Sequence, residues 1–232
     1  MSITATSPVA DLVLEEPSRA RVFERYGIDY CCGGRKPLEQ ACAEHGIEVG
    51  AVVAALEEQL VPGPEDVDWT KASLASLIDH IVNVHHRYLR EELPQLGALV
   101  DKVASRHGDR HPELLDVRAT FAELAAELQQ HMLKEERVLF PVCEALEEGE
   151  RPSLPFGSVE NPIAAMRHEH DDAAHGLARI RELTDAFTPP SDACTSYRAM
   201  LDRLDTFDRD LRRHVHEENN VLFPRTVALE LS

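Results

Sequence analysis

The stretch that decides the fold is HMLKEERVLFP, residues 131–141, which the chain nearly repeats as HVHEENNVLFP at residues 214–224. In each copy a histidine precedes a glutamate by four residues, and Leu-Phe-Pro follows. Four residues turn an α-helix through about 400° and advance it by roughly 6 Å, so both side chains share one face. An imidazole and a carboxylate on one face form half of a metal site, and two copies predict a whole one.

Apolar residues recur at spacings of three and four along four segments after residue 70, which predicts four amphipathic helices. Each segment carries a histidine where an apolar residue is expected. The predicted stripes are Val82, His86, Leu89, Leu93, Leu96, Val100, Val103; Leu124, Leu128, His131, Glu135, Val138, Val142; Ile163, Met166, His170, Ala173, Leu177, Ile180; and Met200, Leu204, Phe207, Leu211, His214, Glu218, Val221. Since no segment is patterned as a strand, we predict an all-α fold with an up-down four-helix bundle.

The turn signals indicate that these histidines meet. In an up-down bundle, residues equally distant from a turn lie at the same level. The midpoints of successive histidines fall at Gly108–Asp109, between Glu150 and Arg151, and at Asp192, all within turn signals. The sequence therefore predicts one inward-facing layer that contains His86, His131, Glu135, His170, His214 and Glu218.

A small helical module precedes the bundle. Helices are predicted from Val9, after Pro17 to Tyr26, from Pro37 to Gly46, and from Val49 to Leu60. The proline-rich and acidic segment LVPGPEDVD, residues 60–68, then breaks the pattern. We predict a small helical domain over 1–60, a linker over 61–70 and the bundle over 71–232.

The turn IDYCCGG in the first domain carries two adjacent cysteines, Cys31 and Cys32. Adjacent cysteines rarely form a good disulfide with each other, because the geometry is strained. We expect the glycines that follow to leave both sulfurs accessible, as a transient iron, nitrosyl or redox thiol site. The alternative is that both are small packed residues.

Composition excludes several classes of function. The net charge is −18, with 42 acidic against 24 basic residues, which argues against nucleic acid or an anionic membrane as partner. Neither a signal peptide nor an apolar stretch of roughly 20 residues is found, so we expect a cytoplasmic protein. Cys42, Cys143 and Cys194 are isolated and are expected to be reduced, packed thiols.

Four imidazoles and two carboxylates suit iron, manganese or zinc better than calcium or magnesium, which prefer oxygen ligands. With two metals, each ion takes two histidines while Glu135 and Glu218 bridge, which leaves positions for water, oxo, dioxygen or nitric oxide. The alternative is that these are core histidines hydrogen-bonded to carboxylates. That alternative accounts well for a single pair of histidine and glutamate, but poorly for a matched layer of six residues. His107 is expected to be a helix-end residue rather than a ligand, and Glu136 and Glu217 to hydrogen-bond near the site.

The order of the motif also separates classes of di-iron bundle. Ferritin-like sites use Glu-x-x-His, whereas this chain has His-x-x-x-Glu and resembles hemerythrin. With IDYCCGG, the LIDHI…HH helix, EHDDA and HEENNVLFPR, nearly the whole chain resembles the iron–sulfur cluster repair di-iron proteins, the RIC family. The resemblance implies a hemerythrin-like bundle, a pair of non-haem irons bridged by oxo and carboxylate groups, and repair of clusters damaged by oxidative or nitrosative stress. It implies the same six ligands.

Our leading hypothesis is that the bundle donates iron to damaged iron–sulfur proteins. One alternative is an enzyme, a nitric oxide reductase or peroxide-consuming centre. Another is a sensor of oxygen, nitric oxide or iron. The sequence leaves the oligomeric state open, and a homodimer is one option.

Overall fold

The structure is a computed structural model that describes residues 3–58, 61–63, 66–153 and 155–232. Within these ranges the chain forms helices and turns, with no strand and one isolated β-bridge between Pro8 and Pro37, so the all-α prediction is confirmed. The chain divides into two compact units. The first comprises residues up to Leu77 together with Arg212–Ser232, and the second comprises Ile78–Leu211. Within the described ranges, no helix combines the length and the apolar character that a membrane span requires.

The N-terminal part of the first unit is a cluster of short helices around its own apolar core. They are α1 (Val9–Glu15), a 3₁₀ turn (Pro17–Arg19), α2 (Ala20–Tyr26), α3 (Leu38–Glu44) and α4 (Val49–Glu57). Gly27 ends α2 in the left-handed conformation, with φ of 68°, as its position predicted. The predicted end of α4 at Leu60, and Pro64 and Glu65 of the predicted linker, lie outside the described residues.

Gly34 has no room for a side chain, because its backbone packs against Tyr30 and Ala10. A Cβ atom at Gly34 would lie 2.4 Å from the carbonyl oxygen of Tyr30 and 2.6 Å from the Cβ of Ala10. The Gly34 carbonyl also accepts a hydrogen bond from the Ala10 N–H at 2.8 Å. No side chain fits this position without moving the backbone.

We therefore expect Gly34→Ala to lower the free energy of unfolding by about 1–3 kcal/mol, the usual cost of forcing atoms into a packed site. Urea unfolding followed by circular dichroism measures the change. Gly97→Ala is the matched control, because its Cβ would meet only the Phe121 ring, at 3.6 Å. Inside a helix that change is expected to be neutral or stabilising by up to about 1 kcal/mol. Equal stability of the two variants would contradict the prediction.

The remaining helices carry the histidines. They are α5 (Leu74–His80), a π-helical turn (Ile81–His86), α6 (Arg87–His107), α7 (Glu113–Lys134), a second π-helical turn (Glu135–Leu139), α8 (Phe140–Glu147), α9 (Glu160–Leu183), α10 (Thr195–His216), a third π-helical turn (Glu217–Leu222) and α11 (Phe223–Glu230). The three turns predicted at residues 108–109, 150–151 and 192 all fall between helices, as expected.

The predicted apolar stripes of α9 and α10 are buried throughout, whereas the stripe through His131 changes face after Glu135. Val138 is 45% exposed and Val142 is half-buried, so both were wrongly predicted as core. Leu139 and Cys143 are buried in their place. A π-helical turn adds one residue to the helical turn, so every later position shifts by one. The same effect makes Ile81, rather than the predicted Val82, the fully buried residue before His86.

Proline accounts for two of these π-helical turns. Pro141 and Pro224 each follow the end of a turn, at Leu139 and Leu222, by two residues. Proline donates no backbone hydrogen bond, and its ring clashes with the carbonyl four residues earlier, so regular α-helical bonding cannot continue there. A widened turn just before the proline accommodates both effects.

Candidate metal centre

The second unit brings four of the six predicted ligands together in its core. His86, His131, Glu135 and His170 are each at most 3% exposed. The two carboxylate oxygens of Glu135 lie 3.4 Å from Nε2 of His86 and 3.2 Å from Nε2 of His131. Nε2 of His170 lies 3.0 Å from Nε2 of His131. Three imidazole nitrogens therefore converge on one carboxylate.

Two further carboxylates hold the outer nitrogens of these rings. Nδ1 of His86 lies 2.6 Å from Glu136, and Nδ1 of His131 lies 2.9 Å from Glu169. Although burial raises the pKa of Glu136, hydrogen bonds from His86 and Arg90 outweigh it and lower that pKa. The hydrogen bond from His131, aided by Lys134, lowers the pKa of Glu169 to about 2. Both carboxylates are ionised and can only accept, so each Nδ1 carries the proton.

This protonation turns the Nε2 lone pairs of His86 and His131 inward, towards the Glu135 carboxylate. Lone pairs and carboxylate oxygens repel one another at these distances unless a proton or a metal ion lies between them. Imidazoles fixed through Nδ1 by a carboxylate are the usual arrangement of metal-binding histidines. The residues present therefore fit a borderline transition metal bound by nitrogen and oxygen.

The other two predicted ligands lie in the first unit. His214 and Glu218 are at most 1% exposed, with His214 Nε2 at 3.2 Å from Glu218 Oε1. That distance equals the one between His131 and Glu135, so the two copies of the motif have the same local geometry. The structure thus shows a four-residue cluster and a two-residue pair. Their union in one layer stays a prediction.

Every carboxylate of the predicted ligand set lies in a π-helical turn, as does His86. Such turns occur often at functional sites, because the extra residue redirects a side chain without ending the helix. The spacing of apolar residues in the sequence does not indicate these π-helical turns.

An open pocket lies between α7 and α9, and His131 and His170 form part of its wall. Three acidic residues also line it, Glu127, Glu169 and Asp172, with Lys134 bound to Glu169 at 2.6 Å. The ligand cluster is therefore buried but approachable from this side.

The cysteine turn of the first unit is organised by Asp29. Its carboxylate accepts hydrogen bonds from the backbone N–H groups of Cys31, Cys32 and Gly33 at 2.8, 3.1 and 2.8 Å, and from the Cys31 thiol at 3.0 Å. The expectation that both sulfurs are accessible is wrong for Cys31, which is buried, while Cys32 is half-buried. The glycines serve close packing instead. The Cys32 side chain, burial and the Asp29 charge all raise the pKa of the Cys31 thiol well above its usual range.

Residues of the second motif copy contact this turn within the first unit. Asn220 donates hydrogen bonds to the carbonyl oxygens of Tyr30 and Cys31, at 3.4 and 3.2 Å. The His216 ring packs edge-on against Tyr30, and burial lowers the pKa of His216 to about 4. Sequence reasoning missed these roles, although the copies differ at these positions: His216 and Asn220 replace Leu133 and Arg137.

The other expectations have mixed outcomes. Glu136 hydrogen-bonds a ligand candidate as expected. The hydrogen bond of Glu169 was not predicted, because it joins two residues that lie 38 positions apart on different helices. His107 ends α6, as expected. Cys42 and Cys143 are buried, whereas Cys194, expected to be packed, is exposed. None of the five cysteines, which all lie within the described ranges, forms a disulfide.

Comparisons with known proteins cover both parts of the chain. Residues 77–226 match the Hemerythrin HHE cation binding domain, and residues 5–60 match a domain family of unknown function, DUF542. A probable iron-sulfur cluster repair protein of Haemophilus influenzae is 37% identical over 225 residues, covering 96% of this chain and 97% of that protein. The iron-sulfur cluster repair proteins YtfE of Enterobacter sp. (strain 638) and Musicola paradisiaca are 40% and 35% identical, over 96% of this chain and 97% and 96% of theirs.

Proposed function

Because this chain belongs to the iron–sulfur cluster repair proteins with a hemerythrin-type domain, we propose that it repairs damaged clusters by donating iron from a di-iron centre. The observation that carries the proposal is the convergence of three buried imidazoles on Glu135, with ionised carboxylates behind two of them. That donor set suits iron, and iron–sulfur proteins are the substrates that repair requires.

The residues that would hold the two ions are the six predicted ones: His86, His131, Glu135, His170, His214 and Glu218. The hemerythrin match includes all six positions. The distance from the histidine Nε2 to the glutamate carboxylate is 3.2 Å in each of the two motif copies. When bound, the two ions supply transferable iron and positions at which nitric oxide or dioxygen can bind.

The protein's own residues favour release as well as binding. Six protein side chains for two ions leave coordination positions that the protein does not fill. The pocket beside His131 and His170 has a rim of acidic side chains, which raises the local concentration of cations. We propose this pocket as the route by which iron leaves.

Iron transfer to an apo iron–sulfur protein tests the donor role. Iron-loaded protein is mixed with the apo protein, sulfide and a reductant, and cluster absorbance is followed together with the iron remaining on the donor. We expect cluster formation matched by iron loss, at a rate that a strong iron chelator in solution does not abolish. Absence of transfer under reducing conditions would contradict it. Sustained consumption of nitric oxide or peroxide without iron loss would support an enzyme instead.

The carboxylates behind the histidines are expected to set the affinity for iron. Glu136→Gln and Glu169→Gln remove the charge that holds each Nδ1 proton, and changes of this kind typically cost 10- to 100-fold in metal affinity. Competition with a chelator measures the dissociation constant. Glu123→Gln, an exposed position on α7, is the matched control and is expected to bind iron normally. An unchanged affinity in both test variants would refute the inferred tautomers.

Three further assignments complete the proposal. The protein works in the cytoplasm. We propose domains that span 1–60 and 71–232 with a linker at 61–70, and the support for these bounds is the pair of matched ranges, 5–60 and 77–226. A homodimer is the oligomeric state to test, by light scattering after gel filtration.

A further inference from the structure

A cysteine and a histidine meet where α6 ends and α10 begins. Nε2 of His107 lies 3.2 Å from Sγ of Cys194. Cys194 is exposed, whereas His107 is 7% exposed and lies beneath it. We propose that Cys194 is a reactive thiol that undergoes disulfide exchange with low-molecular-weight disulfides, with His107 as the proton acceptor.

The His107 ring presents its Nε2 atom to the Cys194 thiol. Its Nδ1 is buried and has no hydrogen-bond partner among the described residues. Buried polar atoms are nearly always bonded, so an imidazole without a partner at Nδ1 is unusual. Among the described residues, the hydrogen bond of this ring is the one between Nε2 and the Cys194 thiol. Tyr197 packs against the ring, with centroids 5.5 Å apart, and fixes its position.

The backbone of Cys194 lies at the N-terminus of helix α10. The Cys194 carbonyl accepts a hydrogen bond from the Arg198 N–H at 3.0 Å, so Cys194 immediately precedes the first turn of the 22-residue helix α10. The N-terminus of a helix carries a partial positive charge that stabilises an anion. The nearby acid Asp192 is already bound to His111, at 3.1 Å, and to Arg110, at 3.7 Å.

The exchange balances without a further oxidant. The Cys194 S–H proton passes to Nε2 of His107, and the thiolate attacks one sulfur of the disulfide. The disulfide S–S bond breaks as the Cys194 S–S bond forms, and the departing thiolate takes the proton from His107. One disulfide is consumed and one thiol is released, while Cys194 carries the other half.

Selectivity follows from the surroundings of the other cysteines. Cys31, Cys42 and Cys143 are buried. Cys32 is half-buried and its sulfur faces that of Cys31, at 3.9 Å. His107 lies 21 residues along the chain from His86, on the order of 30 Å in a helix. The thiol is therefore chemically separate from the proposed iron site.

Reaction of the iron-loaded protein with the aromatic disulfide 5,5′-dithiobis(2-nitrobenzoate) tests the proposal. We expect a fast phase that Cys194→Ser abolishes. His107→Gln is expected to slow this phase by about tenfold at neutral pH, and less at alkaline pH where the thiol ionises unaided. Oxidised glutathione should give a mixed disulfide on the peptide that contains Cys194, identified by mass spectrometry.

The matched control moves the thiol away from the imidazole. In Cys194→Ser combined with Ser191→Cys, an exposed cysteine lies three residues earlier in the same loop. The native protein is expected to react about tenfold faster than this variant. Equal rates would overturn the proposal, whatever the folding of His107→Gln. Normal reactivity of a folded His107→Gln at neutral pH would also overturn it. Neither result depends on iron donation.

Discussion

Replacing Glu135 with glutamine is expected to reduce the iron content of the purified protein from about two ions per chain to fewer than one. The Glu135 side chain is fully buried, and its two oxygens face different histidines, His86 and His131. A neutral amide has nearly the same shape, but it cannot compensate the charge of two cations, and its nitrogen cannot act as a ligand. The site therefore loses one oxygen ligand and one negative charge at once.

Iron analysis of protein purified in parallel measures this effect. His168→Gln is the control, because His168 lies on α9 two residues before His170 but its side chain is 78% exposed. We expect full iron content in that variant. Thermal unfolding of the iron-free proteins shows whether Glu135→Gln remains folded. A folded Glu135→Gln variant with normal iron would rule out Glu135 as a shared ligand.

Asp29→Ala is expected to lower the free energy of unfolding of the N-terminal module by about 3 kcal/mol or more. Three backbone N–H groups and one thiol lose this acceptor, and each buried donor left unbonded costs about 1–3 kcal/mol. Since domains are stable by only about 5–15 kcal/mol, the loss is a large part of the total. Hydrogen exchange of the amides at residues 31–33 should accelerate most.

Asp29→Asn separates the two roles of this side chain. The amide keeps one carbonyl oxygen for the N–H groups, so most of the stability should remain. It removes the negative charge that helps to raise the pKa of the Cys31 thiol. The expected result is a folded protein with a more reactive Cys31, measured by alkylation kinetics. If Asp29→Ala is as stable as Asp29→Asn, the turn does not depend on this acceptor.

Periodicity was sufficient to predict the helices, their turns and the inward face, because burying one apolar stripe per helix dominates the energetics. It failed at Val138 and Val142, because a π-helical turn changes the period within a single helix. It also failed for Glu169 and for the contact between His107 and Cys194. Those contacts join helices through polar side chains, and polar contacts leave no periodic pattern in the sequence.

The two motif copies illustrate what a comparison within one sequence can add. The shared histidine and glutamate are 3.2 Å apart, from Nε2 to the carboxylate, in both copies. The residues that differ make contacts that are specific to their own copy. Glu136 hydrogen-bonds His86, while Asn220 and His216 contact the cysteine turn. The positions at which the two copies differ therefore indicate the contacts with the cysteine turn, which the shared positions do not indicate.

The first unit contains both ends of the chain, because Arg212–Ser232 packs with the residues up to Leu77. On the ribosome, the N-terminal module therefore lacks its contacts with residues 212–232 until that segment has been synthesised. The intervening Ile78–Leu211 takes on the order of ten seconds to synthesise at about 5–20 residues per second. Cys31 and Cys32 lack their Asn219 and Asn220 contacts throughout that interval. His214 and Glu218 are synthesised after the same interval, so until then a nascent chain lacks two of the six proposed iron ligands.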